Sequence, residues 1–354
     1  MWGLAMAKKT EDKLNYKQAV RSLKEQGPGR LYLLWGPEDY LREYYVGELK
    51  KLCLLDGEES FSLKRMNGPE LDPQELQQAI DAVPFLSERS FVELRGIDLN
   101  HIKDADKIQA VLSDIPDYCT VAFIQSADFE PDGRLKLIKG LRNLGQEIQF
   151  TRQNQGDLTN WLAKRFAALG KGLEIEAAQR LIFVSGDLMN RLIPEVEKVA
   201  AFAKGDKVTV SDVDAVANHI PEAVIFEMTE QISQKKFNLA LSTLAELMAD
   251  KNNEPIPMLA MLGTQMRRLY ASKLAQERQL GTKYVMETCA CKYDFQATKL
   301  LQAARGYTLS QLIRAVELCS EGDYRLKSSG EDGREVLKEI VVRIAAGESN
   351  AKSQ

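Results

Sequence analysis

The side chains in this sequence best suited to proton transfer or metal binding are two histidines, His101 and His219, and a Cys289-x-Cys291 pair. The histidines are far apart in the chain, and each reads as an ordinary surface or boundary residue rather than a general base. A structural zinc site draws on two ligand pairs at characteristic spacing. Cys289 and Cys291 have no second pair, so they read as helix-end cysteines. No nucleophile, base and oxyanion donor come together in the pattern. The expectation is a protein with no catalytic residue, no metal site and no cofactor.

One stretch has the position of a phosphate site. Leu31-Tyr-Leu-Leu-Trp35 is an apolar run of strand length, followed by Gly36-Pro37-Glu38-Asp39 and a helical pattern. A working cradle there needs Gly-x-x-x-x-Gly-Lys-Ser/Thr, with glycines for close backbone approach, a lysine for charge and a hydroxyl for magnesium. Here Pro37 removes one N–H, Glu38 and Asp39 repel phosphate, and position 42 is Arg with no Gly-Lys-Ser/Thr. ATP hydrolysis by a P-loop mechanism is not expected. Glu38 and Asp39 could hold a metal, but the preference of helix N-termini for acids explains them more cheaply. Arg267-Arg268 could meet phosphate or an acidic neighbour; a solvated helix face is the default.

A second stretch suggests recognition rather than catalysis. Leu76, Ala79, Ile80 and Val83 share one face at helical spacing, and Pro84 stops that helix. Phe91-Val-Glu-Leu94 then reads as a strand. Pro84-Phe85-Leu86 thus sets a large apolar pair at the tip of a short connection, where polar residues are usual. The pair either folds back onto its own domain, the commoner case on composition alone, or plugs a socket on another protein.

Around these stretches, strands are expected at 31–35, 61–66, 91–94, 120–124 and 147–150. They alternate with helices at 13–26, 40–54, 72–83, 103–113 and 134–143. That alternation predicts a doubly wound parallel sheet. After residue 150 only helices are expected. They lie at 158–169, 174–184 and 188–203, followed by a short one opened by a Ser211-Asp-Val-Asp214 capping box. Further on, 237–248 places Phe237, Ala240, Leu241, Leu244 and Leu247 on one face, 256–280 is long, and Thr308-Leu-Ser-Gln311 caps another helix. The last, 335–346, buries Val336, Ile340 and Ile344. The fold class is therefore α/β followed by all-α. The divisions are a loose extension at 1–12, an α/β domain at 13–153, a small helical domain at 154–222, a larger helical domain at 223–346 and a frayed tail at 347–354.

The 354 residues are 44% hydrophobic and 28% charged, enough for two or three separate cores. Net charge is −4, which excludes a basic footprint over the whole surface. Residues 1–156 carry 21 Lys and Arg against 25 Asp and Glu, and residues 223–354 carry 18 against 16, so any DNA contact must be a local patch. Five scattered cysteines suit a reducing compartment, no apolar run reaches membrane length, and the first residues lack signal-peptide order. The expected location is cytoplasmic.

Several stretches together resemble the delta subunit family of bacterial DNA polymerase III. Leu31-Tyr-Leu-Leu-Trp-Gly36-Pro-Glu-Asp39-Tyr-Leu41 resembles its opening strand and turn, and Pro84-Phe-Leu-Ser-Glu-Arg89 its small-apolar-apolar-x-x-Arg segment. Trp161-Leu-Ala-Lys-Arg-Phe-Ala-Ala-Leu-Gly170 and Ser185-Gly-Asp-Leu-Met-Asn-Arg-Leu192, with Glu195 and Lys198, resemble its lid motifs. Phe226, Ala240-Leu241, Arg267-Arg268-Leu269 and Asp323-Tyr-Arg-Leu-Lys327 follow in the same order. This sequence departs from the family in its N-terminal extension and in Pro37.

The resemblance implies an AAA+-like domain with a degenerate P-loop at Gly36, Pro37, Glu38 and Asp39, a helical lid, and a C-terminal collar domain for oligomerisation. It implies a clamp-loader subunit of a DNA polymerase holoenzyme without a catalytic site of its own. Val83, Pro84, Phe85, Leu86 and Arg89 would form the segment that binds the sliding clamp (the beta subunit). Phe85 and Leu86 would enter a hydrophobic pocket there and help open the ring. Arg267, Arg268, Asp323 and Lys327 become candidates for the collar contact with the ATPase subunits and delta prime, with primer-template DNA bound in the assembled complex. The competing readings are a divergent AAA+ ATPase and a stand-alone DNA-binding protein.

Overall fold

The computed structural model describes residues 14–54, 62–84 and 87–348. These fall into two compact units. One runs through Asn154 and takes in Leu188–Asn190; the other holds Gln155–Asp187 and the chain from Arg191 onward. The expected extension at 1–12 and the tail beyond residue 348 lie outside the described residues.

The first unit alternates β1 (Leu14–Asn15), α1 (Tyr16–Gln26), β2 (Leu31–Trp35), α2 (Asp39–Cys53), β3 (Leu63–Asn67), α3 (Pro73–Asp81), β4 (Ser90–Arg95), α4 (Ala105–Leu112), β5 (Cys119–Ile124), α5 (Lys136–Leu144) and β6 (Gln146–Gln149). All strands are parallel, in the order β1-β6-β2-β5-β4-β3. Every residue of β2 is buried, which is why its sequence is a continuous apolar run rather than an alternation. Leu31, Leu33 and Trp35 face a core with Leu76, Ile80, Val92, Phe123 and Leu141. On the other face Tyr32 meets the edge of Tyr45 at 6.2 Å, and Tyr45 packs on Phe150.

Two boundaries differ from the sequence expectation. The first helix starts at Tyr16, because Leu14 and Asn15 instead pair with Ile148 and Gln149 as a sixth, edge strand. Helix α3 ends at Asp81, since Pro84 disfavours helical geometry just before it, and Val83 leaves the apolar face to become 76% exposed. The start of α3 is as expected: the Asp72 carboxylate accepts the Gln74 N–H at 2.9 Å, and Pro73 takes the first helical position.

The second unit contains α6 (Gln155–Ala168), β7 (Gly172–Leu173), α7 (Ile175–Ser185), the part of α8 (Met189–Phe202) from Arg191 onward, β8 (Lys207–Val208) and α9 (Val210–Val216). Next come α10 (Pro221–Ser233), α11 (Phe237–Ala249), α12 (Pro255–Glu277), α13 (Thr282–Thr288), α14 (Asp294–Ala304), α15 (Leu309–Ser328) and α16 (Gly333–Ala345). Strands were not expected after residue 150, yet β7 and β8 form a two-residue parallel ladder. The capping box of α9 is built by Thr209 and Asp212 rather than Ser211 and Asp214. Asp214 is taken instead by Arg180 at 2.6 Å. Helix α11 buries Ala240, Leu244 and Leu247 but leaves Phe237 and Leu241 more than a third exposed. The Thr308–Gln311 box and the buried Val336, Ile340 and Ile344 stand as expected.

Helix α12 is the axis of this unit. Its Met258, Leu259, Leu262, Met266 and Leu269 share one core with Leu312, Ala315, Leu318 and Cys319 of α15. Phe183 of α7 packs edge-on against Phe226 and Phe295 at 5.2 and 5.3 Å, so the earlier helices belong to the same unit as the later ones. Close approach is set by glycines. A Cβ on Gly322 would lie 2.1 Å from Ile340 Cδ1, and one on Gly306 would lie 2.2 Å from the Ser233 carbonyl oxygen. The second neighbour is backbone and cannot yield by changing rotamer. Gly306→Ala is therefore expected to cost about 1–3 kcal/mol by overpacking, seen as a lowered midpoint in thermal unfolding followed by circular dichroism.

Candidate functional site

In an open parallel sheet, ligands bind beyond the carboxyl ends of the strands where the winding reverses. Here that point is β2, with β5, β4 and β3 on one side and β6 and β1 on the other. The turn Gly36–Asp39 follows β2 directly and so occupies the place of a nucleotide site. Its backbone is already used. Gly36 has φ +118° and sits so close to Phe150 that an added Cβ would be 2.6 Å from the Phe150 carbonyl oxygen. The Glu38 N–H donates to that same oxygen at 3.0 Å, and the Asp39 N–H to the Pro37 carbonyl at 3.2 Å. Pro37 has no N–H to offer.

The nearest positive charge is also engaged. Arg42, almost wholly buried, donates to the Gly36 carbonyl at 2.7 Å and to the Asp39 carboxylate. The Glu38 carboxylate is fully buried and accepts the Met189 N–H at 3.3 Å. Residues 37–39 thus present no outward backbone donor for a phosphate, and two of their carboxylates are ordered by internal partners.

The apolar segment is held at both ends. Tyr118 donates its hydroxyl to the Asp81 carbonyl at 3.3 Å, and its own carbonyl accepts the Ser90 N–H at 2.7 Å. Ser87, buried, bonds the Ser62 hydroxyl and the Arg89 carbonyl, each at 2.7 Å. The Arg89 guanidinium turns inward to the Thr120 hydroxyl at 3.4 Å, so it pins the start of β4. Between these anchors Val83 is the most exposed large apolar side chain among the described residues, and Pro84 is half-buried. Phe85 and Leu86 lie outside the described residues.

A charged group that the sequence did not single out stiffens the same sheet edge. Glu93 is buried in β4, where the β3–β4 register sets it opposite Arg65. It is bonded by Lys50 at 2.7 Å, Arg95 at 2.6 Å and Arg65 at 3.2 Å, and Arg95 forks onto Glu43. Burial pushes the Glu93 carboxyl up, but the hydrogen bonds from Lys50 and Arg95 more than offset it and hold it below the usual carboxylate range. Only the fold reveals this cluster, because its members are scattered over three elements.

In the second unit Arg267 is exposed on α12 and reaches only the Thr264 hydroxyl at 3.0 Å, while Arg268 is half-buried beside the α13 end. Asp323 and Lys327 pair with each other on α15 at 2.8 Å. Gly263 faces Cys319 and Leu259 faces Gly322, so α12 and α15 run antiparallel. Arg267 therefore lies about two turns, ~12 Å, along α12 from the level of Asp323. The structure does not gather these four residues into one site.

Glu195, which the sequence names only within a lid motif, has a buried carboxylate that accepts the Asn218 N–H at 2.9 Å and Lys198 at 2.8 Å. His219 is half-buried against Glu227, and exposed His101 pairs with Asp98. Among the described residues no group of three His, Cys, Asp or Glu is placed to hold a metal.

Because its folded pKa is depressed, Glu93 contributes stability that is present above the unfolded carboxylate range near pH 4.3 and is lost as pH falls through the folded value. Glu93→Gln should cost about 1–3 kcal/mol at neutral pH, discounted for the partly solvated partners. The variant should also show a flatter pH dependence of urea midpoint between about pH 3 and 6. A parallel, undiminished pH dependence would assign the acid sensitivity to other groups.

Residues 32–151 match the family profile described as DNA polymerase III, delta subunit, and residues 222–344 match the one described as DNA polymerase III delta subunit, C-terminal domain. The chain is 24% identical over 336 residues to DNA polymerase III subunit delta of Bacillus subtilis (strain 168), covering 92% of this chain and 95% of that one. It is 22% identical over 304 residues to the probable DNA polymerase III subunit delta of Aquifex aeolicus (strain VF5), covering 81% and 84%. Among solved structures, the Bacillus subtilis DNA clamp loader delta protein shares 20% identity, over 94% of this chain and 99% of its own, at a TM-score of 0.49. The first unit is a six-stranded parallel sheet with helices between its strands, and the second is helical apart from the two-residue ladder of β7 and β8. The two profiles, of one family and in the order the sequence predicts, span about two thirds of the residues, and the chain belongs to the DNA polymerase III delta subunit family.

Proposed function

We propose that the chain is the non-hydrolysing delta subunit of a clamp loader. It binds a ring-shaped sliding clamp through the segment from Val83 to Arg89, weakens one ring interface, and so helps load the ring onto primed DNA. The observation that carries this reading beyond family membership is the pinned segment with Val83 at 76% exposure, immediately before the Phe85-Leu86 pair. A large apolar side chain as exposed as Val83, in a segment held at both ends, is explained by a partner pocket. The helices from residue 223 onward act as the collar that meets the ATPase subunits and delta prime, and the helices at 154–222 act as the lid. No helix among the described residues is long and apolar enough to cross a membrane.

The absence of hydrolysis is supported by the spent amides of residues 37–39 and by Arg42, which faces the Gly36 carbonyl and Asp39. No specific observation favours the divergent ATPase or the stand-alone DNA-binding reading.

The deciding measurement is binding of purified sliding clamp. The wild type should bind, and Phe85→Ala/Leu86→Ala, checked for an unchanged unfolding midpoint, should lose at least about 2 kcal/mol, roughly 30-fold. No binding by the wild type would overturn the assignment; unchanged binding by the variant would move the contact elsewhere. Titration with ATP and magnesium by calorimetry should show no saturable heat and no phosphate release. Turnover would restore the ATPase reading.

A further inference from the structure

Between residues 264 and 292 the chain holds six Lys and Arg against two acids, Glu277 and Glu287. Four arginines elsewhere in this unit are consumed by carboxylates, whereas Arg191 and Arg305 stand singly, on α8 and at the end of α14. Arg180 holds Asp214 and Glu227, Arg314 holds Glu317, Glu321 and Glu348, Arg325 holds Glu331 and Glu339, and Arg343 holds Glu339 and Glu348. In contrast Arg267, Arg278 and Lys283 make no ion pair with any described residue, and all three are exposed. A protein of net charge −4 that leaves these cations together without internal partners has a local positive field to offer an anion.

Their placement is regular. Arg267, Ala271, Leu274 and Arg278 recur at helical spacing and form one stripe on α12, with Ser272 and Ala275 buried beside it. The ends of the stripe are ~16 Å apart, eleven residues at the helical rise. Gln279, with φ +55°, closes the helix, and the chain turns directly into Lys283 and Tyr284 of α13. The Cys289 thiol reaches the Arg268 carbonyl at 3.6 Å, so α13 packs back against the α12 backbone one residue on from Arg267. Tyr270 is half-buried on the flank of the stripe, and Tyr284 is 41% exposed. Cations spaced along a face with aromatic rings between them are what a single strand needs: ion pairs for phosphates and flat surfaces for bases.

We propose that Arg267, Arg278 and Lys283, with Tyr284 beside them, form a contact surface for single-stranded DNA. The strand's phosphates follow the stripe on α12, and a base stacks on Tyr284. The inference deepens the clamp-loader reading and rests on it for the expectation that DNA is the strand in question.

The test is fluorescence anisotropy with a labelled oligothymidylate, using the full chain between 50 and 200 mM salt. Arg267→Gln/Arg278→Gln/Lys283→Gln should lower affinity at least tenfold at low salt and reduce the slope of log K against log salt by about 2, at ~0.7 per contact on a single strand. Tyr284→Leu should lower affinity while leaving the slope unchanged, since stacking releases no counterion. Lys204→Gln/Lys207→Gln, exposed lysines elsewhere in the unit, should change neither. An equal loss in that control, no binding by the wild type, or normal DNA binding by the triple variant would each overturn the proposal. The last of these, combined with lost assembly onto the other subunits, would mark the surface as a protein contact. Clamp capture on the same samples keeps the two readings apart: normal capture with unaltered DNA binding sinks the surface alone. Failed capture with the expected DNA effects sinks the clamp-loader reading and leaves the surface standing.

Discussion

Gly36 and Phe150 meet backbone to backbone, and the closing of the crevice above the sheet depends on that contact. A side chain at position 36 would have to enter the space of the Phe150 carbonyl, which is why only glycine fits, quite apart from its positive φ. The same carbonyl then takes the Glu38 N–H, and the Phe150 N–H takes the Trp35 carbonyl at 2.8 Å. The end of β6 is thereby sewn to the end of β2 at the point where an open sheet of this topology would receive a ligand. The turn at Gly36–Asp39 is thus a piece of internal structure.

Buried charges in this unit likewise draw on internal partners. Arg42 spends its guanidinium on Gly36 and Asp39, Glu147 takes both Arg142 and the Trp35 indole, and Glu93 takes three cations. Each of these three ions has at least two partners, as the cost of removing charge from water demands. Ordered in this way, the sheet holds the ends of the 81–90 segment through Tyr118, Ser62 and Thr120. An exposed apolar contact is useful only on a framework that does not yield, because ordering a loop at the moment of binding subtracts from affinity.

The second unit solves a different problem. Sixty or more residues of helix must cross one another closely around α12, and glycines at 263 and 322 remove the side chains that would hold α15 away. On the outside of α15 and α16 acids and arginines are interleaved into networks, whereas the far half of α12 leaves its cations unmatched. The contrast separates a face whose charges are satisfied internally from one whose charges are not.

Local pattern determined much of this protein. The apolar run of β2, the alternation of strands and helices to residue 150 and the caps at Asp72 and Thr308 are all properties of neighbouring residues, and neighbouring residues state them. What sequence could not state were matters of pairing at a distance. Leu14–Asn15 became a strand because Ile148 and Gln149 offered an edge, and Asp214 went to Arg180 while Thr209 and Asp212 built the capping box of α9. Val83 left its helix through a local rule applied one residue too generously. Glu93 became the centre of a cation cluster only when register placed Arg65 opposite it, and the spent amides at residues 37–39 needed Phe150 to arrive from more than a hundred residues away. Local preferences are fixed by each residue's own backbone and its immediate neighbours. Partners separated in the chain are chosen only when the core packs and decides which faces meet.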